Sequence, residues 1–225
     1  MAQAAAGKRN WFAIWVSVAV VVVVALVIGL VVWMNNVSSG PGAQPSSSNI
    51  NTDTGAISFG SGPDVVDTYV DFMCPYCGQF EKTEGDTIKQ LISENKITLN
   101  LHPVTILDRA SQGTKFSSRS ASAMFAIAEA DPANAYAFMA AMYQNQPQES
   151  TPGLTDDQIV SIAKQAGVNV TSDLEQAITS GKYIKFAQSK GLPQGAQGTP
   201  TLLVNGKNVP VTYNPQTDIV ANLKG

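Results

Sequence analysis

The strongest feature of the hydrophobic pattern is an unbroken apolar run over residues 11–34, free of charge and of proline. As a helix rising about 1.5 Å per residue it would reach about 36 Å, more than the roughly 30 Å hydrocarbon core of a bilayer. Trp11, Trp15 and Trp33 lie near its two ends, where aromatic belts form. A cleaved leader would show an apolar region of about 7–15 residues and a small-residue cleavage pattern, and this run has neither. Residues 11–34 are therefore read as an uncleaved transmembrane signal anchor. Residues 35–55 are rich in Asn, Ser, Gly, Pro and Gln and have almost nothing to bury, which predicts a flexible linker.

From residue 56 to the end the pattern is that of a folded domain. Residues 65–72 (VVDTYVDF) are β-branched and aromatic and are bounded by turn signals, which predicts a strand. Pro75 is well placed at the first position of a following helix, with Ile88, Leu91 and Ile92 giving its later turns an apolar face. Ile97, Leu99 and Leu101 alternate with Thr98, Asn100 and His102, the period of a strand. Strand, helix, strand in this order favours a parallel pair.

Residues 108–190 then read as a helical stretch. Residues 113–130 predict one helix. Asp131-Pro132 starts another, with Tyr136, Met139, Ala140 and Tyr143 on one face. Thr155 with Gln158, and Ser172 with Glu175, form two capping boxes. Strand character returns at residues 200–204, Asn205-Gly206 signals a hairpin, and residues 208–213 form the return strand. Asn214 caps a last helix whose first residue is Pro215. The predicted class is α/β.

Charge narrows the function. The chain carries a net charge of −3, and Lys8 and Arg9 are the only charges before Asp53. A mildly acidic domain offers no electrostatic footprint for nucleic acid. Positive charge before the apolar run keeps residues 1–10 cytoplasmic and sends the domain out of the cytoplasm. The protein is thus expected in the cell membrane as a single-pass chain with an extracytoplasmic domain.

Only two cysteines exist, and they stand three apart in Cys74-Pro75-Tyr76-Cys77. A bridge between them closes almost no loop, so a purely structural disulfide gains little stability. Zinc needs about four ligands, and the chain offers two cysteines and one histidine. A cysteine hydrolase would have His102 as its one candidate base, and Cys77 would trap the nucleophile. Redox chemistry fits best, with no metal and no cofactor required. Cys74 falls at the N-cap of the predicted helix, where unpaired N–H groups and the helix dipole favour an anion. That makes Cys74 the attacking cysteine and Cys77 the one that resolves the mixed disulfide.

Residues 66–81 (VDTYVDFMCPYCGQFE) resemble the active-site strand and helix of the DsbA-like thioredoxin-fold oxidoreductases. Residues 198–206 (GTPTLLVNG) resemble that family's cis-proline loop and the strand after it. The resemblance covers roughly residues 56–223. It implies a thioredoxin fold carrying the 108–190 helical insertion between the CxxC half and the cis-proline half, preceded here by the anchor. It also implies that Thr199 and Pro200 sit against the cysteines across a cis bond, where an extended substrate can pair with the backbone. Two positions depart from the pattern. Tyr76 stands where DsbA has histidine, and Thr68 stands where the family keeps a buried acid, a proton-transfer role that would pass to Asp67 or Asp71.

The leading reading is a dithiol oxidase that passes its disulfide to exported, folding proteins with cysteines. The resemblance further implies a membrane-integral, quinone-linked thiol oxidase that recharges it. A reductase or isomerase in the same compartment is the alternative, and a peptide-binding holdase with incidental cysteines is a third.

Overall fold

The computed structural model describes residues 11–39 and 42–224; the segment expected on the cytoplasmic side, residues 1–10 with Lys8 and Arg9, lies outside the described residues. The chain divides into two compact units, before and after Gly42.

The first unit is one helix, α1 (Trp11–Ser39), continuous over 29 residues. Its side chains are described at Trp11 and over residues 14–29, and all of these are exposed. Among the described residues no helix is long and apolar enough to cross a membrane. The structure therefore does not itself establish the spanning segment expected over residues 11–34.

The second unit is built on six strands: β1 (Ile50–Asn51), β2 (Ala56–Phe59), β3 (Asp64–Val70), β4 (Ile97–Pro103), β5 (Thr201–Val204) and β6 (Lys207–Val209). They lie in the order β1-β2-β4-β3-β5-β6. The central pair β3–β4 is parallel, with Thr68 opposite Leu101, and every other neighbour is antiparallel. The parallel pair is joined by α2 (Pro75–Ser93), as the alternation predicts.

The linker boundary needs correction. Residues 35–39 continue α1, and β1 and its turn occupy the supposed linker from residue 50. Ser46 is already fixed, its amide donating to the Glu129 carboxylate at 2.8 Å, and Asn49 donates to the carbonyl of Ala128 at 3.3 Å. These polar residues bury little of their own and are held by partners about 80 positions away, so local composition could not reveal them.

Between β4 and β5 lie α3 (Phe116–Ala130), α4 (Pro132–Gln144), α5 (Asp156–Gln165), α6 (Ser172–Thr179) and the short α7 (Ile184–Gln188), which no periodicity had marked. After the hairpin come α8 (Pro215–Asp218), capped as expected by Asn214, and a last 3-10 turn over Val220–Asn222. The Thr155–Gln158 capping box is present. The second box is not: Thr171, one residue earlier, caps α6, which moves Glu175 past the third helical position. Glu175 pairs instead with Lys164 at 3.0 Å. Strand β6 ends before Pro210, which lacks the N–H a longer strand would need.

The pleat of β3 separates two environments. Val66, Thr68 and Val70 face the core with Leu99 and Leu101 of β4, and α2 and α4 pack over them through Phe80, Ile88, Met139 and Tyr143. Asp67 and Tyr69 point to the other face with Asn100 and His102.

Candidate active site

The site begins where β3 stops. Asp71 is wholly buried, and its carboxylate accepts from the amide of Met73 at 2.9 Å, the amide of Leu107 at 2.9 Å and the Ser117 hydroxyl at 2.7 Å. Its own carbonyl accepts from the amide of Cys74 at 3.0 Å. These bonds fix the short turn that delivers Cys74 to the N-cap of α2. Burial outweighs them and pushes the Asp71 carboxyl above its ordinary range.

Pro75 opens the helix, and the Cys74 carbonyl receives the first helical amides, Cys77 at 3.0 Å and Gly78 at 3.2 Å. Gln146, after α4, donates through one amide nitrogen to that same carbonyl at 2.8 Å and to the carbonyl of Phe72 at 3.0 Å. Nothing local in the sequence marks Gln146; only the return of the chain after α4 brings it here. Glycine at position 78 leaves room for it, since a Cβ there would stand 2.2 Å from the Gln146 carboxamide oxygen. Gln146→Ala should destabilise the domain by about 1–2 kcal/mol in urea unfolding, since it strips the Phe72 carbonyl of its donor.

The two sulfurs are reduced and unequal. Cys74 is 4% exposed and Cys77 not at all, so an incoming sulfur can meet only Cys74. The Cys74 thiol donates to the Thr199 carbonyl at 3.3 Å. Its pKa falls from an ordinary 9.0 to about 6, chiefly because the Cys77 thiol donates to the Cys74 thiolate. Burial opposes that fall, and the Thr199 side chain with the amides of Cys77 and Tyr76 reinforces it. Cys77 is driven the other way, by burial first and then by the neighbouring thiolate.

Thr199 and Pro200 lie beside the pair, joined by a cis peptide bond. With Tyr76, Val211 and Tyr213 they border a shallow groove along β5 and β6. Tyr76 is 61% exposed and forms its rim. Asp67 is elsewhere: its carboxylate accepts from Asn100 at 3.1 Å and meets His102 Nε2 at 3.0 Å, on the sheet face turned away from Cys77. His102 stacks on Tyr69 with ring centroids 4.0 Å apart, the structural place expected of it. Of the two carboxylates expected to move protons, Asp67 thus faces away and Asp71 is taken up by the turn. Thr68 does face Cys77, across a small cavity that it shares with Glu81 and Tyr143.

Known proteins share the fold that carries this site. DsbA of Mycobacterium tuberculosis, in its oxidised form, superposes with a TM-score of 0.63 at 29% identity, covering 70% of this chain and 86% of that one. MdbA of Actinomyces oris, a thiol–disulfide oxidoreductase, gives 0.64 at 26% identity, covering 81% and 90%. A curated relative, the serine/threonine-protein kinase PknE of Mycobacterium tuberculosis, is 27% identical over 132 residues; the match takes in 57% of this chain and only 23% of that protein. Residues 57–221 match the thioredoxin family model, from the second strand to the last helical turn. With the CxxC pair at the head of α2 and the cis-proline loop against it, the chain belongs to the thioredoxin family, in the DsbA-like architecture of its solved neighbours.

Proposed function

We propose that the protein is an extracytoplasmic thiol–disulfide oxidoreductase that donates disulfides to exported proteins. The observation that carries this reading is the asymmetry of the pair: a nearly buried Cys74 with a pKa of about 6 above a wholly buried Cys77. A client thiolate attacks Cys74 of the oxidised pair, the electrons of the broken S–S bond pass to Cys77, and a second client thiolate then displaces the stabilised Cys74 thiolate. Pro75 starts the helix that favours this thiolate, and Tyr76 presents an aromatic surface to the client. Thr199 and Pro200 offer backbone against which an extended client segment pairs.

Residues 11–34 anchor the protein, with residues 1–10 cytoplasmic and the domain outside. The exposed apolar side chains of α1, Val20 to Ile28 among them, form a surface that a bilayer would cover. A membrane-integral, quinone-linked thiol oxidase would restore the disulfide.

A reductive role is the second reading. A thiolate at about 6 is closer to the value near 7 of thioredoxin than to that near 3.5 of DsbA. Equilibrating the full-length protein with glutathione decides between the two. We expect a potential less negative than about −195 mV, midway between about −270 mV for thioredoxin and about −120 mV for DsbA, which marks a disulfide donor. A more negative value would overturn the oxidase and make the protein a reductant.

A further inference from the structure

The reaction leaves one proton without a carrier. When a client sulfur bonds to Cys74, the Cys74–Cys77 bond breaks and its electron pair lands on a sulfur with no exposure to water. Burial disfavours charge on Cys77. A proton must therefore reach Cys77 from inside the domain.

One carboxyl is placed to supply it. Glu81 stands four residues after Cys77 on α2, one helical turn along the same face. Its side chain folds back over Gly85, where a Cβ would stand 2.7 Å from Glu81 Oε1. There it borders two spaces. One is the small cavity under the pair, shared with Cys77, Thr68 and Tyr143. The other is an open groove between α2 and α4 that leads to solvent. The inner cavity measures about 10 Å³, room for the centre of about one water, and Thr68, Cys77 and Glu81 are the polar residues that line it together with Tyr136 and Tyr143.

We propose that Glu81 is the proton-transfer group for Cys77, delivering a proton across this cavity as Cys77 leaves and taking one back when Cys77 attacks during recharging. The proposal rests on the oxidoreductase reading above. In the donor direction the client S–Cys74 bond forms and the Cys74–Cys77 bond breaks. The pair of electrons passes to Cys77, and the Glu81 proton converts that thiolate to a thiol. The Glu81 carboxylate then regains a proton through the open groove. Thr68 leaves the strand without an acid facing Cys77, and the helix supplies one from the opposite wall.

The surroundings suit a carboxyl that works near neutral pH. Burial first, and then Asp86 on the same helix, lift Glu81 from 4.5 to about 7. Tyr136 and Tyr143 face it from α4 and Thr68 from β3; Asp71 lies beyond Tyr143. Lys82 and Lys89 border the outer groove.

The test uses the full-length oxidised protein mixed with a fluorogenic dithiol peptide, in single turnover from about pH 5 to about pH 9. Glu81→Gln should slow peptide oxidation about tenfold or more below pH 7. An acid donor is available below its pKa, so the ratio of wild-type to variant rate should fall toward one above pH 7. Glu81→Asp should restore most of the rate, and thiolate absorbance should show Cys74 still titrating near 6 in both variants. A Glu81→Gln protein with the wild-type rate and pH profile overturns the proposal. If the wild-type protein itself fails to oxidise the peptide, the oxidoreductase reading has failed, and this one with it.

Discussion

Replacing Cys77 by alanine will leave the protein covalently joined to its clients. Cys74 keeps its place at the head of α2, because its position depends on Asp71, Gln146 and Thr199 and not on the Cys77 sulfur. It can still open a disulfide and form a mixed one. Resolution then has no internal nucleophile, since Cys77 is the only other sulfur of the pair and of the chain's two cysteines. Membranes carrying Cys77→Ala should show large species on non-reducing gels that collapse with a thiol reductant. Cys74→Ala, and the double variant, should show none and should lose dithiol oxidation completely. A double variant with full cellular function would make the cysteines incidental and leave only a peptide-binding role.

The second large effect lies in stability. Cys74 titrates at about 6 in the folded reduced protein against an ordinary 9.0. A depressed folded pKa contributes stability that is present above the unfolded value and lost as pH falls through the folded one. Glu81 and Glu84, both raised to about 7, oppose this gain at lower pH, so the reduced protein should gain stability between about pH 7 and pH 9, by up to about 3 kcal/mol. Cys77 has the opposite shift, which erodes stability only above its ordinary value. Urea unfolding of the reduced protein across this range should show the rise, and Cys74→Ser should remove it. A slope that survives in Cys74→Ser would mean that another group governs it. The same free energy holds the reduced state and so favours giving the disulfide away.

The parts of the fold that could be read ahead are those whose determinants are local. Alternation at residues 97–102, the Asn205-Gly206 turn and the Thr155–Gln158 box each specify their element from a few neighbours. The strands β1 and β2 could not be read, because a two-residue strand has no period and β2 is held by β4, where Ile57 faces the distant Leu101. The cysteines and the cis-proline loop were legible as motifs. Gln146 and Glu81 were not, since one acts on carbonyls more than 70 positions away and the other matters only where α2, α4 and β3 enclose a cavity. The acids Asp67 and Asp71 show the converse. Nearness in sequence suggested them, yet the pleat turns one away and the turn before Cys74 occupies the other.

Both edges of the sheet are stubs. One is the two-residue β1, and the other is the three-residue β6, cut off by Pro210. Unfinished chains expose strand-forming segments, and a long bare edge would recruit them into aggregates. If the protein meets such chains, as proposed, almost no ladder is left for them to extend. On that reading, the groove beside the reactive sulfur is where a client would find backbone to pair with.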